Sequence, residues 1–283
     1  MSVGKEKINV LSLFDGISCG QIALNRAGFK IDKYYASEID KNSIKATMDN
    51  YPNTIQLGNV NDIDFKSMKK IDFLCGGSPC QDISNLNKKK EGLSGSKSKL
   101  FYKFLEAKEM LNPKWWLLEN VQGTDTNIIT KELKRRPLRL DSNWVTPQNR
   151  NRLYWTNIPV NSLPTRTKLK LKDILEPIVD KKYYQTENWN NWWLVNKEFQ
   201  LSKSYSTLNA DKAGCLTARM YASWNGNFIQ DEFGIRRLTT VECERLQTIP
   251  DGYTKSISDI AAYKALGYCW TIDIIVHILN HIK

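Results

Sequence analysis

The first 155 residues alternate short apolar runs with helical stretches, and this alternation constrains the fold more than any other feature of the chain. Ile8 to Leu13 reads as a first strand, followed by a tight turn from Phe14 to Gly20 and a helix from Gln21 to Ala27 that Gly28 ends. A second strand, Tyr34 to Ser37, leads into Glu38 and a helix from Lys41 to Asn50. Further strands are expected near Thr54–Leu57, Ile71–Cys75, Trp115–Leu118, Leu138–Leu140 and Leu153–Trp155, with a long helix from about Leu100 to Leu111. Near-continuous apolar strands separated by helices bury both of their faces, which is the pattern of a parallel sheet covered by helices. The expected fold class is α/β: a doubly wound, mostly parallel, Rossmann-like sheet.

Residues 158–234 break this rhythm. They are rich in Asn, Lys and aromatic residues, among them Tyr183, Tyr184, Trp189, Trp192, Trp193 and Trp224, and show little periodicity. They read as a small irregular lobe. Order returns with an amphipathic helix over Arg237–Leu246 that has a Thr N-cap, and a final helix from about Thr271 to Ile282. The expected organisation is therefore a first domain over 1–157, the lobe over 158–234, and a return to the first domain over 235–283. At 283 residues the chain has ample length for such a core.

Forty-one Lys and Arg against thirty Asp and Glu give a net charge of +11, which suits a polyanionic partner. The charge is clustered, at Lys88–Lys90 with Lys97 and Lys99, from Lys131 to Arg139, and from Arg166 to Lys172. No run approaches the ~18 apolar residues of a membrane span, and the first residues carry no apolar signal core, so the protein is expected in the cytoplasm. The six cysteines form no CxxC pair and read as reduced thiols. His277 and His281 have the i, i+4 spacing of a helical metal site but no nearby acid, so no metal is expected.

Three segments carry chemistry. Gly76-Gly77-Ser78-Pro79-Cys80-Gln81 puts a thiol just past a strand end, where an α/β sheet presents reactive groups to a ligand. Trp115 to Val121 ends with Glu119 and Asn120, placing a carboxylate in the same way. Gln148-Asn149-Arg150-Asn151-Arg152 adds two guanidinium groups. A thiol, a carboxylic acid and a guanidinium pair form the set that covalent chemistry on a cytosine ring requires. The Phe14–Gly20 turn places backbone amides at a helix N-terminus, and Glu38, about twenty residues on, suits ribose hydroxyls. The turn lacks a full GxGxxG, so a nucleoside ligand without a pyrophosphate, such as S-adenosylmethionine, fits better than a dinucleotide.

In this order the segments resemble the motifs of the DNA (cytosine-5)-methyltransferases, class I enzymes that use S-adenosylmethionine, and the resemblance runs over nearly the whole chain. It implies a methyl transfer to C5 of a flipped cytosine through a covalent adduct between Cys80 and C6. Cys80, Glu119, Arg150 and Arg152 match the catalytic motifs. Phe14, Asp15, Gly16, Ile17, Ser18, Cys19 and Gly20 resemble the first cofactor loop, and Glu38 and Ile39 the ribose acid and adenine-packing residue. Asn59 and Val60, Pro79, Leu100, and Tyr268, Cys269 and Trp270 complete the implied cofactor site. The Asp82–Lys99 segment resembles the family's mobile loop. Gln81, Ser84 and Lys97 there, with Thr217 and Arg219 in the lobe that corresponds to the target-recognition segment, are the implied contacts to double-stranded DNA. A monomer is expected.

Three sites depart from the family pattern, of which Thr248-Ile249, in place of Gly-Phe, concerns packing only. Asn59 replaces an Asp, and its amide oxygen retains the capacity to accept the adenine amino proton. Gly267-Tyr268-Cys269 replaces Gly-Asn-Ser or Gly-Asn-Gly, which puts a bulky phenol at the donor's methionine end. Three alternatives follow: an RNA (tRNA) cytosine methyltransferase of the same fold, a variant that takes carboxy-S-adenosylmethionine, and a non-catalytic DNA-binding relative.

Overall fold

A computed structural model describes residues 7–78, 100–123, 126–202, 206–222 and 226–283. The first half of the chain runs β1 (Lys7–Leu13), α1 (Cys19–Arg26), β2 (Lys30–Ser37), α2 (Lys41–Asn50), β3 (Ile55–Gln56) and β4 (Phe73–Gly76). It continues through α3 (Leu100–Leu111), β5 (Trp115–Val121), α4 (Thr126–Leu133), β6 (Leu138–Asp141) and β7 (Asn151–Thr156). The second half contributes α5 (Glu187–Val195), α6 (Lys197–Leu201), β8 (Thr207–Leu208), β9 (Asn227–Asp231), β10 (Gly234–Arg237), α7 (Thr240–Leu246), α8 (Asp259–Tyr268) and α9 (Ile272–Leu279). The chain divides into two compact units, Met1–Leu140 with Asn151–Leu163 and Ile272–Lys283, and Asp141–Arg150 with Pro164–Thr271. Residues 235–271 thus stay with the second unit, and the chain rejoins the first at Ile272.

The first unit is built on a seven-stranded sheet in the order β3-β2-β1-β4-β5-β7-β6. β1 pairs in parallel with β2 and β4, and β4 in parallel with β5. β7 runs antiparallel to β5, with Glu119 opposite Tyr154 and Val121 opposite Arg152. The sheet is therefore the expected mostly parallel one with a single reversed strand. One layer of its core joins Leu11, Leu13 and Leu74 to Phe101 and Phe104 of α3 and to Ile129 and Leu133 of α4. α9, with Ile272, Ile274, Ile275, Ile278 and Leu279 all buried, packs against α1. Burial of such side chains contributes about 1.5–3 kcal/mol each, which is why so apolar a last helix is held.

The second unit is more regular than its sequence suggests. β8, β9 and β10 form a small sheet, and Trp193 of α5 packs on Phe228 and Ile235, with Trp189 stacked against Trp193 at 6.1 Å. The helix expected to start at Arg237 starts instead at Thr240, because Arg237 pairs with Phe228 in the sheet. Thr239 caps the helix through the Glu242 backbone N–H, and the Glu242 carboxylate returns the bond to the Thr239 N–H. Buried Glu242 also takes both Nη atoms of buried Arg236 at 2.9 Å. The lobe's helices and strands are short, two to nine residues each, and carry little periodic signal, so it reads as irregular from sequence alone.

Candidate active site

The turn after β1 carries three left-handed residues in five, Phe14 (φ 58°), Gly16 (φ 60°) and Ser18 (φ 56°). Non-glycine residues there cost energy, and the backbone conformation they create turns N–H groups into a concavity. Buried Asp15 sets this shape: its carboxylate accepts from the Ser18 hydroxyl and from the Tyr34 phenol at 2.8 Å. Burial pushes the Asp15 carboxyl up to about 6, despite the hydrogen bonds that favour its charged form. Across the turn, Glu38 at the end of β2 accepts Gly16 N–H at 2.8 Å through Oε2, and Ile39 and Asp40 N–H at 2.7 and 2.8 Å through Oε1.

These residues fit a nucleoside. A Cβ built on Gly16 meets nothing within 4 Å, so the concavity is open beside the loop. Glu38 uses three of the roughly four lone-pair sites of a carboxylate, leaving one for a ribose hydroxyl. Ile39 is 71% exposed and available to a ring face, whereas Val60 is 4% exposed and belongs to the core. Ile17 and Cys19 are also buried, so a ligand reaches them only through their backbone; Gly20 begins the buried face of α1. Asn59 Oδ1 caps the following turn by accepting Asn61 N–H at 3.0 Å, so contact with an adenine amino group competes with this cap. Leu100 starts α3 and packs against the core. Pro79 lies outside the described residues.

On the catalytic side, Glu119 Oε1 meets Arg152 Nε at 3.0 Å, with side chains only 11% and 14% exposed. The register explains the pair: Glu119 faces Tyr154, so Arg152 is its diagonal neighbour on the same face of β7. Arg152 Nη1 also donates to Asn151 O at 2.8 Å, which fixes the guanidinium plane. Beside it, buried Asn120 donates through Nδ2 to the carbonyl and hydroxyl oxygens of Ser78, both at 3.3 Å. Ser78 is two residues before Cys80, so Asn120 ties the residue that leads into the Cys80 segment to β5. Cys80 itself, with Gln81, Ser84 and Lys97, lies outside the described residues. Cys75, the neighbouring thiol, is fully buried and pushed up to about 12, so it stays protonated at neutral pH.

Arg150 is placed differently from Arg152. It is 3% exposed and spends its donors on Leu216 O (2.8 Å), Gly267 O (3.0 Å), Cys269 O (2.8 Å) and Cys215 Sγ (3.2 Å), all within the second unit. The role this geometry gives it is positioning. Buried Gln148 joins the same hub, accepting Leu216 N–H and donating to Leu246 O, each at 3.0 Å. Thr217 and Arg219 follow on an exposed turn. Gly267 supports that turn directly: a Cβ there would lie 2.3 Å from the Thr217 carbonyl carbon and the Ala218 nitrogen. Tyr268 is 62% exposed, whereas Cys269 and Trp270 are buried. The roles of Asn120, Gln148 and Gly267 are invisible in the sequence, because each depends on a backbone atom far along the chain.

Among the described residues no group of three or more His, Cys, Asp or Glu side chains is placed to hold a metal, and no helix is long and apolar enough to cross a membrane. The strand order, the reversed β7, the left-handed turn after β1 and the acid at the end of β2 define a class I methyltransferase. The solved structure of the Entamoeba histolytica methyltransferase EhMeth superposes with a TM-score of 0.81 at 14% identity, covering 98% of each chain. The model of the C-5 cytosine-specific DNA methylase family matches residues 8–283, and the chain belongs to this family. The type II methyltransferase M1.ScrFI of Lactococcus lactis subsp. cremoris is 28% identical over 291 residues, spanning 92% of this chain and 74% of the relative. The type II methyltransferase M.NlaX of Neisseria lactamica is 25% identical over 300 residues, spanning 97% and 96%.

Proposed function

We propose that Cys80, Glu119 and Arg152 carry out methylation of C5 of a cytosine flipped out of duplex DNA, in the cytoplasm and as a monomer. The observation that carries this reading is the buried Glu119–Arg152 pair at the end of β5, beside an Asn120 that holds Ser78, two residues before Cys80. A cytosine within a duplex is out of reach of any of these groups, and extruding it costs a few kcal/mol. The Cys80 thiolate adds to C6, which converts the ring to an enamine whose C5 is nucleophilic. Glu119, protonated or sharing a proton with N3, donates to the negative charge that develops there, and Arg152 holds O2 while keeping Glu119 oriented. S-adenosylmethionine, held by the Phe14–Gly20 loop, Glu38 and Ile39, supplies the electrophilic methyl group when bound. Loss of the C5 proton then breaks the Cys80–C6 bond and restores the aromatic ring.

Duplex DNA carrying 5-fluorocytosine at the target tests this, because fluorine cannot leave as a proton does. The expected result is a denaturant-stable adduct that Cys80→Ser abolishes and Cys75→Ser retains. An adduct that survives Cys80→Ser moves the nucleophile elsewhere and ends the reading. A narrower reading, which rests on Tyr268 standing where the family has Asn, is a hydrogen bond from its phenol to the extra carboxylate of carboxy-S-adenosylmethionine. Competition between the two donors, in wild type and Tyr268→Asn, decides it. If wild type ignores the carboxylated donor, Tyr268 only fills space.

A further inference from the structure

The entry points of the strands in the first unit share a feature that the catalytic reading does not use. β1 and β2 begin at Lys7 and Lys30, which are register partners. Lys69 and Lys70 precede β4, where Asn9 of β1 donates to Lys70 O. Lys114 immediately precedes β5, and its Nζ sits 6.0 Å from the centre of the Trp115 ring. Lys134, Arg135 and Arg136 precede β6. The far end of β6 meets Arg150, whose N–H donates to Asp141 and whose carbonyl accepts from Ser142, just ahead of β7. Because β7 is antiparallel to β5 and starts at the level of Val121, β6 must run parallel to β5 and enter at the same end as the others.

Lys7 is paired with Asp32 at 3.7 Å and Lys70 with Asp72 at 3.1 Å. Lys30, Lys69, Lys114, Lys134, Arg135 and Arg136 are exposed and make no ion pair with any described residue. From β2 to β6 the sheet order spans five strand spacings, about 24 Å. That length of duplex presents about 14 phosphates, more than enough for six cations. Ser78 and Glu119 stand at the opposite, carboxyl end, with Glu119 about 17 Å from Lys114 along β5, so one phosphate cannot serve both ends.

We propose that the amino end of this sheet is a second, sequence-independent contact surface for duplex DNA, which holds a segment other than the one being methylated. The inference rests on DNA being the enzyme's partner but not on the covalent mechanism. Neutralising phosphates at this end retains the enzyme on long DNA between target encounters.

The test compares the triple variant Lys134→Gln, Arg135→Gln, Arg136→Gln with a control triple, Lys197→Gln, Lys255→Gln, Lys283→Gln, in the full chain. The slope of log affinity against log salt is measured on a non-specific duplex. The first variant should lower the slope by about 2–3, at ~0.9 per phosphate contact. It should keep wild-type turnover on a short duplex that barely covers the target, and lose several-fold on DNA of kilobase length. Re-introducing charge with Lys134→Arg, Arg135→Lys, Arg136→Lys should restore both. An unchanged slope or an equal drop in the control overturns the proposal. Failure of the 5-fluorocytosine adduct with the salt slope still behaving as described would count against the catalytic reading alone.

Discussion

Asp15 shows how one residue can serve a site at a cost to the fold. A carboxyl raised from 3.8 to about 6 by burial binds a proton more tightly in the folded chain than in the unfolded one. Between roughly pH 4 and 6 the folded state therefore holds the extra proton, and stability falls as pH rises through that window. At 1.36 kcal/mol per pKa unit the loss is about 3 kcal/mol. With that cost the carboxylate holds the left-handed Ser18 and the Tyr34 phenol in place at the proposed cofactor loop. Asp15→Asn keeps the shape and removes the ionisation. Denaturant melts should show the wild type losing about 3 kcal/mol relative to Asp15→Asn between pH 4 and pH 7. A pH-independent difference would mean that Asp15 does not titrate in this range.

At the scale of elements, the proposed catalytic groups depend on neighbours that hold segments together. Asn120 follows Glu119 on β5 and is buried against Ser78, so the acid and the nucleophile segment share one strand as their frame. In Asn120→Ala the adduct with 5-fluorocytosine should form on the order of 10²-fold more slowly, the usual consequence of displacing a reacting group by about 1 Å. Binding of S-adenosylmethionine, proposed to rest mainly on the Phe14–Gly20 turn, Glu38 and Ile39, should weaken far less. A wild-type adduct rate would show that Ser78 needs no tether. The second unit has a comparable device in Gly267, whose missing side chain lets the Thr217–Ala218 backbone lie on α8 while Arg150 clamps the carbonyls on either side. Gly267→Ala forces that backbone to move and should cost about 1–3 kcal/mol in denaturant unfolding. Thr217 and Arg219 are displaced with it, so sequence preference on DNA should relax in the same variant. If both stability and preference stay at wild type, the turn has room to yield.

At the scale of the molecule, what was legible in the sequence is what repeats locally. The strands of the first unit could be read because apolar runs such as Val10 to Leu13 and Leu117–Leu118 are buried on both faces, and the helices because Gly28 and Asp40 punctuate them. The reversal of β7 and the pairing of two-residue β8 with β9 were not legible, since both are set by contacts distant in sequence, and the local β9–β10 hairpin was not legible because burial does not alternate along β9. Of the candidate site, Glu119 and Arg152 were singled out by type and spacing, whereas the pairing of Arg152 with Glu119 and the burial of Arg150 among second-unit carbonyls emerged only from the structure. This difference in placement makes a separation of functions testable. The proposed cofactor contacts at Gly16, Glu38 and Ile39 lie in the first unit, and Thr217 and Arg219 in the second. S-adenosylmethionine at 100 times its Kd should stabilise the chain by about 2.7 kcal/mol, raising Tm by several degrees. Glu38→Ala should abolish most of that rise, because it removes both the ribose acceptor and the bond that holds Gly16. Arg219→Ala should leave the rise intact and alter which DNA sequence is methylated, as bisulfite sequencing of DNA from an expressing host would show. A cofactor-induced rise that Arg219→Ala removes, or that Glu38→Ala spares, would refute this separation.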